Sequence, residues 1–261
     1  MKRAYPAISI FAVSLLGLGL VACGGDGGAT ASDAPGGGDS DPPIDARIDA
    51  PPAPPMITVT GTAVSRGLTG TNPVAQALIG AYRDSDEATP IATTMTDAQG
   101  KFTLTVSTGG VALEGFIKAT KTAFRDTYLY APAPIAADTT APVNMIATND
   151  YDLLSTVAQG NQMPGNGLIA LVVVSGTTAT STPITGATVS SNPAATVYRY
   201  SAANGLPSST ATATGADGVA YMFNVRPNVP VTVGAMKTST TFKSHGLKAW
   251  PDQLTTTLIT P

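Results

Sequence analysis

The side chains of this 261-residue chain that are of a type to do chemistry are few and scattered. Asp84, Asp86 and Glu87 form one carboxylate group, with Asp97 further along the chain. Two carboxylates facing a glycosidic bond hydrolyse it, and several on one loop bind calcium. The regular Asp spacing and Gly of an EF-hand loop are missing here, and a solvated hairpin loop accounts for the same residues. His245 is the chain's single histidine, so neither a zinc site nor a choice of general bases can be assembled from imidazoles. Tyr198 and Tyr200 share a strand face, and Trp250 ends another strand. These rings are candidates for stacking on sugars, although core packing explains them equally. Cys23 is the only thiol, which excludes an internal disulfide. The Gly-rich runs lack the strand, turn, helix and lysine context of a phosphate loop. No cofactor is implied.

Cys23 has a context of its own. Met1-Lys2-Arg3 is a positive start, and Ala7 to Val21 is a 15-residue apolar run, short for a membrane span of ~20 residues. Leu20, Val21 and Ala22 before Cys23 resemble the lipobox of bacterial lipoproteins. The resemblance implies cleavage after residue 22, a diacylglyceryl thioether on Cys23 and export to the cell envelope. Gly24 in the next position points to the outer membrane. Two or three acyl chains hold a protein on a bilayer almost permanently, where one gives marginal binding.

Residues 23–55 are expected to be a disordered tether rich in Gly, Asp and Pro. Ile44 and Ile48 are its only sizeable apolar side chains, too few to offset the entropy of ordering. As a coil it spans ~30 Å, and fully stretched ~100 Å. Six aspartates lie in it against Arg47 alone, so the tether carries −5, the leader's Lys2 and Arg3 carry +2, and the residues from Met56 onward balance to zero. A near-neutral remainder without a basic stripe excludes nucleic acid as a partner.

From Met56 onward, short alternating strands take over. Lys101–Val106 places Phe102, Leu104 and Val106 on one face, and Asp97-Ala98-Gln99-Gly100 before it is expected to turn a β-hairpin from Thr93–Thr96. The unit recurs. Thr210–Thr214, Gly215-Ala216-Asp217-Gly218 and Ala220–Val225 repeat it, and Pro73–Ile79 parallels Pro183–Val189. Lys121-Thr122 parallels Lys237-Thr238, and Tyr130-Ala131-Pro132 stands opposite Trp250-Pro251. The offset stays between about 110 and 118 residues, the mark of a tandem duplication.

The fold expected is all-β, two tandem seven-stranded antiparallel sandwiches of the Ig-like or transthyretin-like kind, spanning residues 56–150 and 168–261. First-copy strands are expected at Ile57–Ser65, Ala75–Arg83, Ile91–Thr96, Lys101–Val106, Gly115–Thr122, Thr127–Ala131 and Val143–Ala147. Second-copy strands are expected at Leu168–Val174, Thr188–Ser191, Val197–Tyr200, Ser209–Thr214, Val219–Val225, Val231–Lys237, Gly246–Trp250 and Thr255–Ile259. The linker, 151–167, holds one short helix, Tyr151–Gln159, capped by Asp150 and ended by Gly160.

A strand followed by Pro73–Ile79, then Thr96-Asp97-Ala98-Gln99-Gly100-Lys101-Phe102, resembles the carboxypeptidase regulatory-like module. The second copy keeps Ile184–Val189, with Gly215 in place of the Asp. The resemblance implies an accessory β domain of a secreted protein and carries no catalytic residue. The functional expectation is a non-catalytic, lipid-anchored envelope protein whose partners are the membrane and an envelope protein or polysaccharide. The alternative is a surface carbohydrate-binding lipoprotein that uses Tyr198, Tyr200 and Trp250.

Overall fold

The structure, a computed structural model, describes residues 52–67, 70–178, 181–202 and 206–261. The leader, the lipobox with Cys23 and the tether as far as Pro51 lie outside these residues. Pro52 to Pro55, assigned to the tether from composition, are described and packed against the body just before the first strand: Ala53 is buried, and the Thr108 amide donates to the Pro55 carbonyl at 2.9 Å.

The first module comprises β1 (Met56–Gly67), β2 (Gly70–Pro73), β3 (Leu78–Arg83), β4 (Ala92–Met95), β5 (Lys101–Ser107), β6 (Gly115–Thr120), β7 (Thr127–Tyr130), β8 (Thr139–Thr140) and β9 (Val143–Met145). Helix α1 (Thr148–Ala158) follows. The second module comprises β10 (Gly167–Val173), β11 (Thr188–Asn192), β12 (Val197–Ser201), β13 (Pro207–Ser208), β14 (Val219–Val225), β15 (Pro230–Met236), β16 (His245–Lys248) and β17 (Leu254–Ile259). The fold is an all-β sandwich, with one helix among the described residues.

The duplication extends to individual hydrogen bonds. In each module the opening strand runs antiparallel to the post-turn strand (β1 with β5, β10 with β14) and parallel to the closing strand (β1 with β9, β10 with β17). The facing sheets also match, β3–β6–β7 against β11–β15–β16. Thr96 is buried and its Oγ1 accepts from the Ala77 amide at 2.8 Å while donating to the Val74 carbonyl at 2.6 Å. Thr214 does the same with Ala187 and Ile184 at 2.9 and 2.7 Å. Gly100 and Gly218, at φ +74° and +69°, each donate to the residue three before and accept from the opening strand, from Ala63 at 2.7 Å and Val173 at 2.9 Å.

These grips change the nature of the turn. The expected hairpin across Asp97–Gly100 is a corner between sheets: β4 pairs with β3, whereas β5 pairs with β1. The threonine hydroxyl draws the chain out of one sheet just before the glycine turns it into the other. For the same reason Ser209–Thr214 is not a strand; the short β13 precedes it, and Thr214 is spent on the corner. Other strands fall close to expectation, with β14 at its expected bounds.

Strand β5 alternates buried and exposed residues along its whole length, because one of its faces meets solvent. Strands β10 and β14 are buried throughout. One face of that pair packs Ile169, Leu171 and Met222 into the second module's core, and the other packs Leu168, Ala170 and Phe223 beneath α1. The helix begins earlier than expected, after Ala147, with no side-chain cap; Asp150 lies in its first turn. Gln159, at φ 50°, supplies the left-handed end expected of Gly160, and the Gly160 amide closes on Ser155 O at 2.8 Å. Gly160 is instead held small by Phe223, whose ring would lie 2.5 Å from a Cβ at that position.

The modules are joined through the sheet. β17 pairs in parallel with β10 on one side and with β7 on the other, Thr255 standing opposite Tyr128. A nine-stranded sheet results, in the order β13-β12-β14-β10-β17-β7-β6-β3-β4. The repeat is imperfect at one element. β4 lies beside β3 in the first module, whereas β12 has moved across to β14 in the second.

Candidate functional site

The seam between the modules holds a cleft of about 470 Å³. Strand β16 and the Asn228–Pro230 turn form one wall. The loop after β3, the residues leading into β6 and the Ala131–Pro134 segment after β7 form the other. Of the residues singled out from sequence, Asp84, Glu87 and His245 meet here. Glu114, Tyr130 and Lys248 join them.

Lys248 ties the two walls together. Its Nζ lies 2.5 Å from Glu87 Oε2 and 4.5 Å from the centre of the Trp250 ring. β16 ends at Lys248, and the chain just beyond it brings Trp250 beneath the ammonium. Trp250 in turn stacks on Tyr128, with ring centres 4.3 Å apart and planes 11° from parallel. Behind them Phe116 touches Tyr82, Tyr128, Tyr130 and Trp250, at centre distances of 5.3, 5.6, 5.1 and 5.8 Å. Lys118 bridges to Asp126 at 3.0 Å on the same strand pair.

His245 belongs to this structure. Its Nε2 lies 2.7 Å from Thr257 Oγ1, and that hydroxyl donates to the Tyr130 carbonyl at 3.0 Å. With the hydroxyl proton so used, Nε2 is the donor. Burial lowers the His245 pKa, which favours the neutral ring. The hydroxyl beside it is buried and already donating, so the pair has no free nucleophile to activate.

Asp84 stands on the solvent side of the cleft, its amide donating to Glu114 O at 3.2 Å. Partial desolvation, then the Glu114 and Glu87 carboxylates, raise its pKa. The folded protein therefore holds this proton to a higher pH than the unfolded chain. Stability present in acid is lost as pH rises from about 4 through the folded value. Asp84→Asn is accordingly expected to stabilise the protein at pH 7 and to be neutral near pH 3. Denaturant titrations at the two pH values check this; equal or lower stability at pH 7 would contradict the assignment.

The calcium set does not assemble. Asp86 Oδ1 accepts from the amides of Ala88 and Thr89 at 3.1 and 3.0 Å, and these bonds lower its pKa. Asp97 Oδ1 accepts from Gln99 and Lys101 at 2.9 and 2.8 Å at its own corner. Among the described residues no group of three His, Cys, Asp or Glu is placed to hold a metal ion.

The three aromatic candidates occupy the second module's core and the seam, not an open platform. Tyr200 is 6% exposed, with its hydroxyl accepting from Val189 N at 3.1 Å. The Tyr198 hydroxyl accepts from Ala195 N at 3.0 Å and meets Ser191 Oγ at 2.9 Å. Trp250 is stacked as described. The side chains missed by sequence, Glu114, Tyr130 and Lys248, left one legible signal: the matching of Tyr130-Ala131-Pro132 to Trp250-Pro251. That matching marks repeat ends which, in space, meet each other.

No family model and no curated protein sequence matches the chain. Solved structures do. The shaft pilin SpaA of Lactobacillus rhamnosus GG is 12% identical, with 79% of this chain and 98% of the pilin covered and a TM-score of 0.24. The minor pilin GBS52 of Streptococcus agalactiae is 11% identical over 78% of this chain and 94% of its own, with a TM-score of 0.27. The Bacillus anthracis TIE protein is 9% identical over 78% of this chain and 34% of its own, with a TM-score of 0.25. Superposition at this level follows strands without a common arrangement, and no property of these proteins is transferred to the chain.

Proposed function

We propose that the chain is a lipid-anchored, non-catalytic protein of the cell envelope, which holds a stiff two-module body away from the membrane for contact with an envelope partner. The observation that carries the reading is the seam. Across it Glu87 pairs with Lys248, Trp250 stacks on Tyr128 and β17 pairs with β7, while His245 is bonded to Thr257 within the second module. Such an arrangement makes one rigid object of two repeats and leaves no activated nucleophile in the cleft. The corner grips at Thr96 and Thr214 also support the carboxypeptidase regulatory-like reading of the modules, since the motif residues that suggested it are the ones that shape the corners.

The anchor is tested at the mature N-terminus. Mass spectrometry of the protein extracted from its host membrane is expected to find residue 23 first, with a thioether-linked diacylglyceryl group on Cys23. The Cys23→Ser chain is expected to lose that mass and to leave the membrane fraction. An unmodified Cys23, or a start at another residue, refutes the anchor.

A further inference from the structure

Along the same seam lies a second cavity, of about 140 Å³ and partly open to solvent. Val59, Ile117 and Ala141 wall it from the first module, and Ala170, Val172 and Leu258 from the second. The parallel pairing of Leu129 with Thr256 forms its floor. The walls are deeply buried: Val59 0%, Ala141 7%, Ala170 2% and Val172 4% exposed. An apolar cavity of about 150 Å³ stays dry and takes up benzene, so this one matches an apolar group of about six carbons. Thr139, Thr140 and Thr177 stand at the solvent side, and among the described residues no charged one lines it.

We propose that this seam cavity binds the hydrocarbon end of an uncharged amphiphile, its chain between the module walls and its neutral polar group at the threonine rim. The opening matters to the choice, because a ligand with one end in water needs a polar end. A charged head finds no counter-charge among the lining residues, whereas a hydroxyl or ester meets threonine hydroxyls. Two sources share this chemistry: a separate neutral lipid, and the chain's own acyl group. The second source alone rests on the anchoring reading at Cys23. Twenty-nine residues, 23–51, separate the lipid-bearing position from Pro52, and β1 carries the chain on to Val59 at the cavity wall.

The test uses the mature chain from residue 23 carrying Cys23→Ser, with 1-octanol, sodium octanoate and glycerol as probes. Octanol at a hundredfold excess over its dissociation constant is expected to raise the unfolding midpoint by about 5–10 °C. Octanoate at pH 8 should do less, and glycerol at the same concentration nothing. Ala170→Leu, which fills one wall, should abolish the octanol response. Should that variant fail to fold, Ala141→Leu fills the other wall, and contacts from octanol protons to the Val59 and Val172 methyls in the unfilled chain, read by NMR, give an independent answer. Absence of both shift and contacts, or an equal shift in a folded, filled variant, overturns the proposal. In acylated wild-type protein, a raised midpoint without octanol response assigns the site to the chain's own lipid, and an undiminished response assigns it to a separate one; either result supports the cavity. An unacylated Cys23 removes the first source and leaves the cavity result standing.

Discussion

Phe116→Ala is expected to lower the unfolding free energy by about 3–5 kcal/mol, the usual cost of emptying a buried aromatic site. Phe116 is 3% exposed and is the ring that touches all four other aromatics at the seam. Each well-placed ring pair adds about 0.5–1.5 kcal/mol beyond area burial, which puts the loss toward the upper end of the range. The same substitution is expected to shift the folded-state fluorescence of Trp250 to longer wavelength, since water gains access beside the indole. Trp250 is the only tryptophan, so the signal is unambiguous. Phe102→Ala, in the separate core of the first module, should cost a similar amount and leave the folded-state emission unchanged. Chemical denaturation gives the first quantity and emission spectra the second. A loss below about 1 kcal/mol, within the range of ordinary surface changes, would mean that the stack does not hold the modules together.

Gly100→Ala and Gly218→Ala are expected to cost about 2–3 kcal/mol each, and nearly the same as one another. Both residues are in the left-handed region, where a side chain costs roughly 1–2 kcal/mol by itself. Both also turn the bare Cα toward the opening strand. A methyl at Gly218 would stand 2.5 Å from the Val173 carbonyl oxygen, and one at Gly100 would run into the equivalent oxygen of Ala63. That oxygen belongs to the residue whose amide takes the corner hydrogen bond. Gly186→Ala is the control: φ is +77° there, and nothing lies within 4 Å of the new methyl. It should show the conformational cost alone. If all three variants lose the same amount, the close approach at the corners contributes nothing.

The corners were legible because their signals are local. Thr-x-x-x-Gly before an alternating strand, met twice at nearly constant offset, marks a place where chemistry within six residues decides the path. What stayed hidden at those corners was the partner of the threonine. Thr96 and Thr214 read as ordinary strand residues, yet their hydroxyls reach back 22 and 30 residues to Val74 and Ile184. A hairpin and a sheet-to-sheet corner share the same turn residues, so only those long-range bonds separate them.

The candidate site was less legible, for a related reason. Tyr198, Tyr200 and Trp250 were chosen by ring type, and ring type does not distinguish a solvent-facing platform from a core. Lys248 and Glu87 are 161 residues apart, and nothing near either predicts the other.

Sequence by itself determined the all-β class, the two copies of one unit and most strand positions, because strand periodicity and turn chemistry act between near neighbours. Tertiary structure alone decided the seam. β17, Leu254-Thr255-Thr256-Thr257-Leu258-Ile259, carries three consecutive threonines, and all three are buried. Their burial follows from pairing on both sides at once, with β10 some 86 residues earlier and β7 some 127 residues earlier. Two of the hydroxyls are satisfied by the Lys248 and Tyr130 carbonyls. Burial of Thr255 and Thr257 is tolerated because these partners are in place, one 7 residues back and the other 127 residues back across the seam, while Thr256 lines the seam cavity.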